Sequence, residues 1–348
     1  MSDSAYAAAG VNLDDADEAK LLIRDAVRST HTAQVLGGMG GFGGLFAIGE
    51  LPERDPVLVS SIDGVGTKLK IAFALDCHES VGADLVAHCV NDILVCGARP
   101  LFFLDYLALG TMNAAQVGAV VRGVAAGCRA VGCALIGGET AAMPGFYPVG
   151  EYDLAGSITG VVARDRIITG AAIQPGDVVI GFPSAGLHTN GYSLARRIFA
   201  EVDLHEYVPE LGRTLGDELL QPHRCYYDAV WPLLDAGLVT GMAHITGGGL
   251  VDNLPRVLPA NVAVTLDAHQ WDVLPIFRLI QLQGDVSWDE MARVFNLGLG
   301  YVLTCRPDAA ERVLALVGQH GARQVGAVRE RTGDEPQIRV EGLGSVAG

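Results

Sequence analysis

The residues Asp63-Gly64-Val65-Gly66-Thr67-Lys68 place a carboxylate, a glycine turn, a hydroxyl and an ammonium within one short stretch. An apolar strand, Val57 to Ile62, precedes them, and Thr67-Lys68 opens a helix with Leu69, Ile71 and Ala72 on its apolar side. Strand, glycine turn and helix start gather free backbone N–H groups at one point, which suits an anion such as phosphate. Asp63 would repel a bare phosphate and welcome one that carries Mg²⁺. The stretch is not a Walker A loop, because threonine precedes lysine, and Leu69 stands where a dinucleotide fingerprint needs glycine. Its bland alternative is a glycine turn beside a surface lysine.

More carboxylates follow. Ser80 to Gly97 has a helical period that puts Asp84, His88 and Asn91 or Asp92 on one face, with Leu85, Val86, Cys89, Val90, Ile93 and Leu94 filling the rest. Acids on a mostly buried helix are costly unless they have partners, which metal ligation or core hydrogen bonding would supply. The apolar strand Leu101 to Leu109 contains Asp105, and a strand from Cys133 to Ile136 runs into Gly137-Gly138-Glu139-Thr140. Strands ending near Asp63, Asp105 and Glu139 would line one sheet edge with carboxylates, as the Mg²⁺ ions of a polyphosphate require.

The elements that must position these groups alternate between strand and helix. Six glycines in eight residues, Gly37 to Gly44, read as a flexible lid over phosphate anchored by Phe42, or as a plain linker. Residues 163 to 177 are a turn-rich break in composition and divide the chain into domains 1–168 and 169–348. The second domain repeats the strand–turn–helix theme: strand Asp177 to Phe182, then Pro183-Ser184-Ala185-Gly186-Leu187-His188-Thr189-Asn190-Gly191, then a helix from Tyr192. His188 there is a candidate phosphate donor or acid–base group, or a histidine that caps a turn. Further glycine loops lie at His244 to Gly249 and Phe295 to Gly300.

Composition narrows the function classes. Half the residues are hydrophobic and 18% are charged, which describes a globular chain with a large core. A formal charge of −16 argues against nucleic acid or an anionic membrane as partner, without excluding a phosphorylated ligand held by local donors and metal. No basic region followed by a long apolar run begins the sequence, so a secretory leader is not expected. The seven cysteines form no C-x-x-C pair and sit in apolar surroundings, which fits reduced thiols in a cytoplasm.

Taken together and in order, GGMGGFGGLF, VSSIDGVGTKL, GADLVAHCVNDILVCGARPLFFLDYLA, GGETAAMPG, LHTNGYSLAR, AHITGGGLVDNLPRVLP and MARVFNLGLG resemble the phosphoribosylformylglycinamidine cyclo-ligases, or AIR synthetases, of purine biosynthesis. The resemblance implies an α/β (α+β) fold of two domains, with the N-terminal sheets of a homodimer joined into a barrel. It implies ATP-dependent closure of formylglycinamidine ribonucleotide to aminoimidazole ribonucleotide, releasing ADP and phosphate, with Mg²⁺. On matching residues it implies Asp63, Asp92 and Asp105 as metal ligands, with Glu139 a weaker fourth, and Asp92, His188 and Lys68 as catalytic groups. ATP would lie against Gly40, Gly41, Phe42, Gly43, Asp63, Gly64, Gly66, Thr67, Lys68, Asn91, Gly137, Gly138 and Glu139. Substrate would lie against Ser184, Gly186, His188, Thr189, Asn190, Gly247, Gly248 and Gly249.

The chain departs from the family's pattern at Ala7, His88, Arg99, Ala142 and Val294, where lysine, methionine, glutamate, glutamate and threonine are common. Sibling activities fit less well. There is no cysteine before Cys77 for selenophosphate chemistry, none at the C-terminus for hydrogenase maturation, and no Gly-Asp-Asp for thiamine-monophosphate kinase. A non-catalytic nucleotide-binding paralogue is the rival from another class.

Overall fold

The computed structural model describes residues 13–38 and 43–346. The chain divides into two compact units, the first holding residues up to Ile93 and Ala98–Asp165, the second Leu94–Gly97 and Arg166 onward.

In the first unit, helix α1 (Leu13–Arg28) is followed by two short strands, β1 (Val35–Leu36) and β2 (Leu45–Phe46), which pair antiparallel on either side of the glycine-rich segment. The main sheet is built from β3 (Pro56–Gly64), β4 (Arg99–Leu109), β5 (Ala134–Ala142) and β6 (Tyr152–Ala163), in the order β3-β6-β4-β5. Only β4 and β5 run parallel, and the crossover between them is helix α4 (Ala114–Ala130). A 3₁₀ turn (Gly66–Lys68) and helix α2 (Leu69–Ala74) follow β3, and helix α3 (Glu79–Leu94) precedes β4.

Alternation along the strands gives this sheet two unlike faces. Val57, Val59, Ser61 and Asp63 of β3, and Phe103, Asp105 and Leu107 of β4, are drawn in on one face, against which Leu85 and Ile93 of α3 pack. On the other face Leu58, Ile62, Leu104 and Tyr106 are exposed, Ile62 to 73%.

The second unit carries a sheet in the order β10-β12-β7-β13-β11-β14. Its strands are β7 (Val178–Pro183), β10 (Gly241–His244), β11 (Val262–Asp267), β12 (Leu299–Cys305), β13 (Arg323–Glu330) and β14 (Ile338–Glu341). A separate ribbon pairs β8 (Tyr207–Val208) with β9 (Arg213–Thr214). Ile180 and Phe182 of β7 and Tyr301 and Leu303 of β12 pack on Val230 and Leu233, Val313 and Val317 of two covering helices, and Leu94 joins that core. Only the β11–β14 pair is parallel.

Candidate active site

Helix α3 starts on Glu79, whose carboxylate complements the positive end of the helix dipole, and it buries Leu85, Val86, Cys89, Val90 and Ile93 completely or nearly so. That burial leaves one polar stripe at four-residue spacing, Asp84, His88 and Asp92, and each member meets the β3–turn segment. Lys68 Nζ lies 2.7 Å from Asp84 Oδ2. His88 Nε2 lies 2.9 Å from Asp63 Oδ2, and Ser61 Oγ donates to Asp92 Oδ2 at 3.1 Å. The helix runs upward as the partners run back along the chain, so the two polar rows close like a zipper. Asn91, next to the stripe, is buried.

The electrostatics follow from these contacts. Burial pushes the Asp63 carboxyl up, but the hydrogen bond and charge of His88 and the Gly64 N–H outweigh it and hold the group below its ordinary value, despite the Asp92 charge nearby. Asp105 is different. Burial with only its own backbone N–H in compensation raises its carboxyl to about 7. Register puts Asp63 and Asp105 in one cross-strand row, both opposite Gly156 of β6, with Gly138 next beyond Asp105. The two acids therefore share a face but stand two strand spacings, about 10 Å, apart along the sheet.

Two details differ from expectation here. Lys68, expected at the phosphates, is 0% exposed and engaged with Asp84, so it is not the surface lysine of the bland alternative. The segment it belongs to is a single 3₁₀ turn followed by a six-residue helix, and the groups left exposed are Gly66 and Thr67. Glu139 is not brought to the acids. The strand β5 continues through Ala142, so Glu139 pairs with Tyr106 and faces away from Asp105. Gly137 and Gly138 consequently lie within β5 rather than in a loop after it. Gly40, Gly41 and Phe42 lie outside the described residues, as does Ala7; Gly43 follows in an exposed bend before β2. Arg99 uses both arms on Glu53, at 2.9 and 3.0 Å.

The second unit contributes a cluster of loops that hold one another. The Ser184 hydroxyl donates to Asn296 Oδ1, and Asn296 Nδ2 donates to the Gly186 carbonyl, fastening the loop after β7 to the one before β12. Asn190 Oδ1 stands where a side chain on Gly247 would meet it at 3.3 Å, which brings the His188–Gly191 turn against the Gly247–Gly249 loop. The buried Asn190 Nδ2 has no hydrogen-bond partner, a donor available to a ligand. Asn253 Nδ2 in turn faces the carbonyls of Thr246, Gly247 and Gly249.

His188 is fully buried and has φ +63°, an uncommon conformation for a side-chain-bearing residue. Its Nε2 accepts from the backbone N–H of Ala185 at 3.2 Å and from that of Arg224 at 3.5 Å. A ring nitrogen that accepts cannot carry a proton, so the neutral ring is protonated on Nδ1. His188 is therefore a keystone between two loops rather than an open acid–base group. The motif FNLGLG is legible in this setting. Any side chain on Gly300 would fall 2.0 Å from Tyr226 Oη and 2.5 Å from His188 Cε1.

Asn296, Asn253, Arg224, Tyr226 and His223 are the groups that sequence reasoning missed. Asn296 was signalled by its place in Phe295-Asn296-Leu297-Gly298, but the partners that tie it to the loop after β7 lie 110 residues or more away. Nothing local marks His223.

Oxygen donors with a lowered carboxyl pKa and a second carboxylate alongside, as at Asp63 and Asp92, suit a hard divalent cation such as Mg²⁺. Among the described residues no helix is long and apolar enough to cross a membrane.

Comparison with known proteins places this architecture in the AIR synthase related class. The family model for the N-terminal domain of AIR synthase related proteins matches residues 46–162, and that for the C-terminal domain matches residues 174–339. Solved structures share the fold: thiamine-monophosphate kinase from Stenotrophomonas maltophilia K279a (TM-score 0.67, 19% identity, 92% of this chain and 96% of that one) and E. coli HypE (0.68, 17%, 94% of each). A structure of the hydrogenase maturation protein HypE in complex with ATP matches at TM-score 0.63, with 18% identity over 92% of this chain and 90% of that one.

Sequence similarity resolves the class further. A phosphoribosylformylglycinamidine cyclo-ligase of Desulfitobacterium hafniense is 52% identical over 303 residues, covering 87% of this chain and 89% of that protein. The one from Geobacillus thermodenitrificans is 51% identical over 309 residues, covering 88% and 89%. The chain belongs to the phosphoribosylformylglycinamidine cyclo-ligase family.

Proposed function

We propose that this chain closes formylglycinamidine ribonucleotide to aminoimidazole ribonucleotide at the expense of ATP. A formamide carbonyl is a poor electrophile and its oxygen a poor leaving group. Transfer of the γ-phosphoryl group to that oxygen makes it leave as phosphate when the amidine nitrogen attacks. Such a transfer asks for positioning and charge stabilisation more than for covalent help from the protein. The observation that carries the reading is the kinship with cyclo-ligases over nearly the whole chain.

Asp63 and Asp92 would hold Mg²⁺, with Asp105 further along the same face. When bound, Mg²⁺ supplies neutralisation of developing phosphate charge. Gly66 and Thr67, exposed in the turn after β3, offer backbone N–H groups and a hydroxyl to the phosphates, with Asn91 and the Gly137–Gly138 stretch as further ATP contacts. Lys68 acts from beneath by fixing that turn to α3. Ser184, Gly186, Thr189, Asn190 and Gly247–Gly249 take the substrate, Asn190 Nδ2 donating to it, while His188 holds their loop in shape.

The exposed sheet face of Leu58, Ile62, Leu104 and Tyr106 is assigned to a second copy of the chain, giving a homodimer. The acidic balance and free cysteines fit a cytoplasmic enzyme of small molecules rather than a nucleic-acid binder.

The test is ADP release from Mg²⁺–ATP with and without formylglycinamidine ribonucleotide, while aminoimidazole formation is followed. Matched, substrate-dependent formation of both products is expected. Nucleotide binding without turnover would instead identify a non-catalytic paralogue.

A further inference from the structure

His223 belongs to none of the motifs that define the site, yet it sits at the centre of its loops. It is 4% exposed and precedes Arg224, whose backbone N–H reaches His188. Its Nδ1 lies 3.1 Å from Thr189 Oγ1, and its Nε2 lies 3.0 Å from Nε2 of His244, itself 5% exposed. Its ring lies flat on that of His188, with centroids 4.3 Å apart and planes 24° from parallel. Three side chains from three separate segments thus form a continuous hydrogen-bonded row, Thr189–His223–His244, clamped from one side by a fourth.

The chemistry of such a row is restricted. Two imidazole nitrogens at hydrogen-bond distance must share one proton, one donating and the other accepting. A hydroxyl at the other end both donates and accepts. An imidazole between them can take a proton on one nitrogen while releasing one from the other, so it carries a proton without itself remaining charged. His188 cannot do the same through Nε2, because two backbone N–H groups already point at that atom.

We propose that His223 is a relay residue that carries the proton released on ring closure from the Thr189 hydroxyl to His244. The inference rests on the cyclo-ligase reading and on Thr189 facing substrate within it. The resting row has His223 protonated on Nε2, with its Nδ1 accepting from Thr189 Oγ–H and its Nε2–H donating to His244 Nε2. As the amidine nitrogen forms its bond to the formyl carbon and the C–O bond to phosphate breaks, that nitrogen gives its proton to Thr189 Oγ. The Thr189 proton passes to His223 Nδ1, and the His223 Nε2 proton passes to His244. Threonine ends neutral, His223 ends as its other neutral tautomer, and the positive charge resides on His244. Atoms and charge balance; loss of one proton from His244 leaves the row neutral with its hydrogen bonds reversed, and exchange of the His223 tautomer after product leaves restores the resting state. His223 acts through Thr189 and so positions and relays rather than touching substrate.

Two measurements test this. In single turnover, the rate of aminoimidazole formation is followed in mixtures of H₂O and D₂O for the wild-type chain and for His223→Gln, whose amide keeps hydrogen-bonding groups but cannot relay. The expected wild-type dependence on deuterium fraction is curved, because several protons move together. The Gln variant is expected to lose about 10²- to 10⁴-fold in rate, the scale of a lost proton-transfer partner, to become linear, and to keep KM and melting temperature near wild type. A linear wild-type dependence, or unchanged rate and curvature in the variant, overturns the relay. So does a rate loss matched by a raised KM and a lowered melting temperature, which would mark a packing role.

The second measurement needs no turnover. In ¹⁵N-histidine-labelled full-length protein, the signal that disappears in His223→Gln is expected to show an Nε2–H tautomer coupled to a second imidazole nitrogen. An Nδ1–H tautomer or an imidazolium at neutral pH overturns the proposal. If the wild-type chain formed no aminoimidazole at all, the cyclo-ligase reading would fall, while the tautomer would still decide whether the row is built to conduct protons in the stated direction.

Discussion

The two units use polar groups in opposite ways. In the first, acids stand on a sheet and a helix, and their places follow from strand register and helical spacing: Asp63 and Asp105 by pairing opposite Gly156, Asp84, His88 and Asp92 by recurrence every four residues. In the second, the polar groups stand on loops and are held by one another, Ser184 by Asn296, His188 by Ala185 and Arg224, Thr189 by His223. Regular structure can carry a charged group without consulting distant sequence. Loops cannot, so their functional groups double as their scaffold. The first region should then respond to substitution chiefly in rate, and the second, the His223 relay apart, chiefly in folding.

The largest expected effect tests the first half of that contrast. Asp92→Asn keeps an acceptor for Ser61 and removes only charge, so turnover should fall by about 10²- to 10³-fold while circular dichroism is unchanged. Near-wild-type ADP release would put Asp92 in the scaffold and dissolve the distinction.

Next comes the exception within the first region, the buried Lys68–Asp84 pair. Removing one partner, as in Lys68→Met, strands a carboxylate and should cost about 3–5 kcal/mol in denaturant unfolding. The double replacement Lys68→Met with Asp84→Leu should recover much of that loss. A variant of unchanged stability with a raised KM for ATP would instead return Lys68 to the phosphates.

Gly300→Ala probes the second region. Its methyl group would meet Tyr226 Oη and the His188 ring, so the chain should lose about 1–3 kcal/mol in stability. A variant of full stability and lowered rate would show that these loops, too, respond chiefly in rate.

The smallest effect is a slope. The folded Asp105 carboxyl titrates near 7, above the ordinary 3.8, so the folded chain holds its proton where the unfolded chain has lost it. That stability is complete below the ordinary value and is lost as pH rises through about 7. The melting temperature of metal-free protein should therefore drop from about pH 4 to about pH 7 and level off above, and Asp105→Asn should flatten the drop.

The same contrast explains what the sequence made legible. The α3 stripe and the strands bearing Asp63 and Asp105 could be read from periods of 3.6 and 2, because each element's own residues decide which face is buried. For Lys68, expected at the phosphates, the pairing with Asp84 was hidden because that acid lies in another element. Glu139 was misjudged by the end of a strand: extending β5 past Ile136 turned its side chain to the opposite face. His223 was invisible for a stronger reason. Its partners Thr189 and His244 lie 34 and 21 residues away, and no local pattern records such a meeting.

One feature of the chain's partition bears on how such a gene could be cut. Leu94–Gly97, flanked on both sides by first-unit sequence, belongs to the second unit, where Leu94 enters the core and the Cys96 carbonyl receives the Ile168 N–H. A break in the reading frame at residue 165 would thus leave the downstream piece without one of its own core leucines. A split version would need a surrogate for those four residues before the downstream piece could be exchanged as a module.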